Sequence, residues 1–252
     1  MLSATFKKAL SCTLLAFLTT SAYATTVERL SLFLYDGINA YEDRRIGSPQ
    51  NNLPATVTPT FTATPTALNE YTWEWKLQNI SGASLNNLRT TVLIDVDISP
   101  EDNTFHNEHG ELLIGGLTAP TDHIAADQWE ISELGYLHGD LLQRAATGNL
   151  NNQTDQDATT TADDSAMALS INIGTLEADQ ELTITAILTD NGSAGLLQKD
   201  AHNNNEHVFQ AYAKLGPIAP KALQTVDYAI TKATSEPPRV SRRLHLLREW
   251  SL

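Results

Sequence analysis

The chain is predicted to be an all-β protein, an antiparallel Ig-like or jelly-roll-type β-sandwich with one long loop insertion and one short helix. Three observations predict it. Apolar residues recur at period two in segment after segment, as in Tyr71-Thr72-Trp73-Glu74-Trp75-Lys76-Leu77-Gln78, where the aromatics fall on one strand face and the polar residues on the other. The segments are separated by Gly-, Asn- and Asp-rich turns and not by long helices. No repeat of about 20–50 residues runs through the sequence to suggest a solenoid or a propeller.

Residues 1–24 stand apart and are expected to be an export signal, cleaved after Ala24. Lys7 and Lys8 form a basic start, Ala9 to Leu18 an apolar run too short to span a bilayer, and Ala22-Tyr23-Ala24 puts small residues where a signal peptidase reads. The only cysteine, Cys12, lies inside this segment, so the exported chain is expected to hold together without disulfides. About 228 residues then remain, enough for one large sandwich, assigned to residues 25–232. The formal charge is −14, and losing Lys7 and Lys8, with no acid before Glu28, takes it to −16. Such acidity disfavours nucleic acid or an anionic membrane as a partner of the body and leaves room for divalent cations.

The elements follow in order. Val27 to Tyr35 reads as an opening strand, ended by Asp36-Gly37. Tyr41-Glu42-Asp43-Arg44-Arg45 reads as a charged connection and Ser48 to Pro54 as a loop. Thr56 to Thr66, punctuated by Pro59 and Pro65, reads as an edge strand or an extended crossing segment, because proline cannot donate to a ladder. Tyr71 to Gln78 and Leu88 to Asp97 read as a central antiparallel pair around the turn-rich Ile80–Asn87. The long insertion between Gly110 and Asp164 holds an extended piece at Trp129-Glu130-Ile131, a short helix within His138–Ala146, and a polar loop from Asn149 to Ser165. Strands return at Met167–Ile173, Glu181–Thr189 and His207–Leu215, with Thr225–Thr231 as a further candidate. The last segment, residues 233–252, is a basic tail whose Arg239, Arg242, Arg243 and Arg248 interleave with Val240, Leu244, Leu247 and Trp250, a pattern suited to contacting a partner.

Two acidic loops are candidate metal sites. Asp95, Asp97, Glu101 and Asp102 gather hard oxygen ligands where a strand leaves the sheet, and Asp155, Asp157, Asp163 and Asp164 form a second group. Calcium takes six to eight oxygens from such loops, so Ca2+ is the candidate cofactor, although Pro100 and a missing glycine break the EF-hand spacing. His106 and His109 flank Glu108 without the spacing of a catalytic zinc motif, and His202 and His207 read as turn residues beside Asn203-Asn204-Asn205.

Nothing points to covalent catalysis. The exported chain has no thiol, Gly192-Ser193-Ala194-Gly195 has its serine one place early for a nucleophile elbow, and no phosphate-binding glycine loop is present. Paired carboxylates of a glycosidase are a matter of spatial separation, about 5–9.5 Å, which a sequence does not carry. Trp73 and Trp75 share a face and are assigned to the core, not to a sugar-stacking platform, and Trp129 is assigned there too.

Several pieces recur together in an order that resembles a known group. They are Leu77-Gln78-Asn79-Ile80-Ser81-Gly82-Ala83-Ser84-Leu85-Asn86-Asn87-Leu88, Thr104-Phe105-His106-Asn107-Glu108-His109-Gly110, Gly139-Asp140-Leu141-Leu142, Gly148-Asn149-Leu150-Asn151-Asn152, Asp163-Asp164-Ser165-Ala166-Met167-Ala168-Leu169 and Gly174-Thr175-Leu176-Glu177-Ala178-Asp179-Gln180. They resemble secreted bacterial β-sandwich proteins, many of which end in a PEP-CTERM sorting signal read by an exosortase. The resemblance implies the fold and export, and it brings no activity. Glu236-Pro237-Pro238 stands where such a signal would begin, but an Arg-rich segment follows in place of a hydrophobic helix, which implies release and not envelope sorting. The expected function is a secreted or periplasmic, non-enzymatic module that binds an extracellular polymer or protein through its loops, with calcium ordering an acidic loop. The alternative is a secreted polysaccharide hydrolase.

Overall fold

A computed structural model describes residues 25–67, 70–98, 108–135, 140–154, 164–202 and 205–218. The strands are β1 (Thr26–Tyr35), β2 (Ala40–Ile46), β3 (Gln50–Asn51), β4 (Val57–Ala67), β5 (Glu70–Asn79), β6 (Leu85–Asp97) and β7 (Glu108–Leu112). After them come β8 (Ile124–Ala125), β9 (Gln128–Ser132), the helix α1 (Leu141–Thr147), β10 (Gln153–Thr154), β11 (Ala166–Leu176), β12 (Gln180–Thr189), β13 (Leu196–Asp200) and β14 (Glu206–Pro217). They form two sheets, sheet I in the order β10-β9-β11-β6-β1-β2-β3 and sheet II in the order β4-β5-β12-β14-β13-β7, with β8 added beside β14. All pairings are antiparallel except β9 with β10. The predicted sandwich is therefore the observed architecture.

Alternation decides what fills the space between the sheets. From sheet I come Leu30, Leu32, Leu34, Val92, Ile94, Met167, Leu169 and Ile171, and from sheet II Trp73, Trp75, Leu77, Leu182, Ile184, Phe209 and Ala211, all in one buried cluster. Trp73 and Trp75 are 2% and 0% exposed, so the aromatic face is core as expected, and Trp129 is half-buried against the same cluster. Fully burying side chains of this size supplies about 1.5–3 kcal/mol each, the main force holding a chain whose one cysteine, Cys12, has no second to pair with.

The pairing differs from expectation in one central respect. β5 and β6 are not partners: β5 lies between β4 and β12, and β6 between β11 and β1. Ile80–Ser84 carries the chain from one sheet to the other, as does the connection from β11 to β12. Period two fixes which face a residue takes but not which strand lies alongside, and an arch has the same turn-rich composition as a hairpin. The buried amide of Asn79 joins the two crossings. Its Nδ2 donates to the carbonyls of Ala83, Leu176 and Glu177 at 2.8, 3.0 and 3.1 Å, and its Oδ1 accepts from the Ser81 N–H at 3.0 Å and the Ser81 hydroxyl at 2.7 Å.

Other elements also correct the sequence reading. The charged Tyr41–Arg45 is strand β2, not a connection, because its inward residue Asp43 accepts from Trp75 Nε1 of the opposite sheet at 3.1 Å and from Arg45 Nε at 2.8 Å. Arg45 in turn lies 4.9 Å from the Phe61 ring centroid, and Phe61 is 5.0 Å from Trp75. The Pro-containing β4 is the edge of sheet II, as proline requires. The insertion contributes β8, β9, α1 and β10, and β13 was not legible as a strand because Gly192 and Gly195 crowd its start. Leu141–Thr147 confirms the short helix. The Thr225–Thr231 strand and the basic tail of 233–252 lie outside the described residues. Among the described residues, no helix is long and apolar enough to cross a membrane.

Asn79→Ala leaves three carbonyls without their donor and is expected to lower unfolding stability by about 2 kcal/mol or more. Asn79→Asp sets a carboxylate against the same carbonyls and is expected to cost at least as much at pH 7. Urea unfolding of both variants checks this; midpoints equal to the parent's would show that the arch does not depend on the amide.

Candidate functional site

The outer face of sheet I is where the insertion does its positioning. Along β1, β6 and β11 the residues opposite to the core set are Phe33, Leu93, Ala166 and Ala168, and α1 buries Leu141 and Ala145 on them, with Leu134 and Leu150 closing the sides. Arg144 fixes the helix by reaching the buried Glu130 on β9 and Asp140 at the helix start. The helix ends at Gly148, whose φ of 62° is the left-handed cap that lets its N–H and that of Asn149 bond back to Ala145 and Arg144. A side chain at Gly148 would run into the stem of Arg89 and the Ser170 hydroxyl, so only glycine lets the helix end rest on β6 here.

Beyond that end lies an open groove of about 550 Å³. Its floor is a cross-strand row, Tyr35 opposite Arg89 and Arg89 opposite Asn172. Arg89 is clamped in fork geometry on Asp127, at 2.7 and 2.8 Å, and also donates to Ser170 Oγ at 3.2 Å. The Asn172 N–H donates to Asp127 Oδ1 at 3.2 Å, and Asn172 Oδ1 accepts from the Gly174 N–H at 3.1 Å. Asn87, held at φ 55°, Gln128, Thr147 and Asn149 supply the walls. The groove offers amides, hydroxyls and one guanidinium neutralised by Asp127.

A second groove of about 450 Å³ lies on the other side of α1, against β1 and β2. Its central carboxylate is Glu42. Burial pushes this group up, but hydrogen bonds from Arg44, Ser31 and Arg29 outweigh burial and hold it at about 2. A carboxylate kept ionised in this way cannot donate a proton near neutral pH.

Of the predicted metal residues, Asp95, Asp97 and Asp164 are described, and they lie at the opposite end of β6. Ala166 lies opposite Asp95, so the start of β11 brings Asp164 to the strand end that carries Asp95 and Asp97. Asp164, some 70 residues away in sequence, thus acts on Asp95. Burial pushes the Asp95 carboxyl up, and the charges of Asp164, Glu28 and Asp97 add to it against the pull of Arg29, so that it reaches about 8. Glu108, which sequence reading noted only for its flanking histidines, is the buried centre of the region. It accepts from Ser165 N at 3.1 Å and Gln198 Nε2 at 2.6 Å, while Gln198 also donates to the carbonyls of Val96 and Ser165 at 2.9 Å. Burial drives the Glu108 carboxyl well above its ordinary value despite those donors. Among the described residues no three acidic or histidine side chains are arranged to hold a metal ion. Glu101, Asp102, Asp155, Asp157 and Asp163 lie outside the described residues, as does His106.

His207 is not the turn residue the sequence suggested. It lies in β14, 3% exposed, with Nε2 2.6 Å from Thr25 Oγ1 and Nδ1 2.6 Å from Asp190 Oδ1, and it ties the start of the described chain to the sandwich. Burial lowers its pKa against the pull of Asp190. Sequence reading also missed Arg89, Asp127 and Asn172. The signal available was a lone arginine among β-branched residues in a strand buried on both faces. No protein-family model matches the chain, and no curated protein matches it either.

The Asp95 shift sets the direction of a pH effect. An aspartate titrates near 3.9 in the unfolded chain and near 8 here, so the folded form holds the extra proton between those values. The stability this proton provides is full below about pH 4 and is lost as pH rises through 8. Asp95→Asn removes the penalty, so its unfolding midpoint in urea, relative to the parent, is expected to be higher at pH 8.5 than at pH 5. Parallel pH dependences of variant and parent would sink the assignment.

Proposed function

We propose that this chain is an exported, non-enzymatic β-sandwich module that binds an extracellular polymer in the groove at the end of α1. The carrying observation is the state of that groove: its floor is fixed in advance by the clamp of Arg89 on Asp127, and its lining holds no free acid or base. A preorganised polar surface binds at lower entropic cost than a mobile one, which suits a binding module. Hydrolysis would require two carboxylates with opposed protonation states beside the ligand. The two carboxylates that line the second groove are instead committed to arginines, Glu42 to Arg29 and Arg44 and Asp140 to Arg144, which favours binding over cleavage. Export is supported by Lys7, Lys8, the apolar run after them and Ala22-Tyr23-Ala24. The groove, not the acidic end of β6, is the proposed contact surface.

Expression of the full chain in a Gram-negative host should yield a periplasmic product whose N-terminal sequence begins at Thr25. The purified product should co-sediment with at least one insoluble extracellular polymer among cellulose, chitin and peptidoglycan without releasing soluble reducing ends. Asn149→Trp, at an exposed position on the groove wall, should lower the bound fraction at least fivefold with an unchanged circular dichroism spectrum. Steady release of reducing ends would replace the binding reading with hydrolysis, and binding unaffected by the substitution would move the contact elsewhere.

A further inference from the structure

Resting on that reading, we infer that the groove at the end of α1 selects an uncharged, hydroxyl-rich glycan and rejects polyanions. The first reason is chemical match. The groove presents side-chain amides from Asn87, Gln128, Asn149 and Asn172, together with the hydroxyls of Tyr35 and Thr147. A primary amide donates and accepts at adjacent atoms, and a sugar hydroxyl does the same, so neighbouring hydroxyls of a pyranose pair with an amide in both directions. Among the described residues no side-chain hydrogen bond engages the amides of Asn87 or Asn149, both exposed on the rim, so they are available to a ligand.

The second reason is charge. Among the described residues, Arg89 is the one cation lining the groove, and its fork is spent on Asp127. A carboxylate or sulfate polymer would need that guanidinium, and Asp127 holds the place such a group would take. The chain's net charge of −14 repels polyanions further. A neutral glycan meets neither obstacle.

The third reason is rigidity. Arg89 is wedged beneath Gly148, and Asn172 is fixed from both sides by Gly174 and Asp127. The half-buried Tyr35 ring and the Arg89 stem supply apolar surface for the C–H face of a sugar, the amides receive its edge, and little has to move.

Affinity electrophoresis of the exported chain tests this, in gels containing mixed-linkage β-glucan, galactomannan or arabinoxylan as neutral probes and polygalacturonate or alginate as anionic ones. Retardation is expected in at least one neutral gel, unchanged by 0.3 M NaCl, absent from the anionic gels and lost in Asn149→Trp. Asp127→Asn keeps an oxygen for Arg89 but frees its charge, and it is expected to gain salt-sensitive retardation in an anionic gel. Retardation of the parent by a polyanion, abolished by Asn149→Trp, would overturn the charge selectivity while leaving the groove as a polymer site. Neutral-glycan retardation that survives Asn149→Trp would remove the groove from the inference but leave the module reading. No retardation in any gel, together with no co-sedimentation, would overturn both.

Discussion

The architecture turns on one mismatch of length. β6 has 13 residues and spans about 43 Å, whereas α1 has 7 and covers about 10 Å of the same sheet. β6 is buried on both faces from Thr90 to Ile98, and only the middle of its outer face is covered by apolar helix side chains, at Leu93 and its neighbours Phe33 and Ala168. Both overhangs have to be closed with polar groups. At the N-terminal overhang Arg89 lies along the sheet and takes Asp127 and Ser170 as partners. At the C-terminal overhang Asp95 and Asp97 face Asp164, Glu28 and Arg29. The groove and the acidic cluster are thus two consequences of the same short helix.

The two sheets are joined by buried polar contacts placed around the apolar core, not within it. Asn79 joins the arches at one end, Trp75 and Asp43 bridge toward one edge, and Gln198 bridges to the Val96 carbonyl of β6 at the other. Each contact spans the sheets through an N–H donor to a carbonyl or carboxylate, and each would be costly to leave half-made in a low-dielectric interior. In a chain without disulfides these contacts fix how the sheets are set against one another, while the Trp73, Trp75 and Phe209 cluster supplies the bulk of the burial.

Much of this was legible in the sequence because alternation reports faces directly. The parity of Tyr71 to Leu77 and of Met167 to Ile173 placed the core correctly, and the prolines of Thr56–Thr66 correctly marked an edge. Partnership was not legible: nothing local tells Gln78 that its neighbour is Glu181, 103 residues on, and not a residue of β6. Charged strands were also obscured, since β2 looks like a loop until Arg29 and Ser31 are seen to satisfy Glu42. The groove was the least legible part. Its clamp joins residues 38 apart, and a third member, Asn172, is a further 45 along, so only the register of β11 on β6 assembles it.

The overhangs also differ in how they handle charge, which separates their responses to the medium. Arg89 and Asp127 cancel at close range, and a pair this short is weakly screened by salt. The other end carries Asp95, Asp97, Asp164, Glu28 and Glu108, with Arg29 beside them, and the burial of Asp95 turns the excess into proton uptake. Protonation there changes the stability of the β6–β11 end without touching the floor at Arg89, six residues away along the strand and about 20 Å distant. A chain built this way gains stability from proton uptake at one end of β6 and keeps a neutralised pair at the other. That division requires both a helix too short to cover β6 and opposite solutions to the uncovered ends.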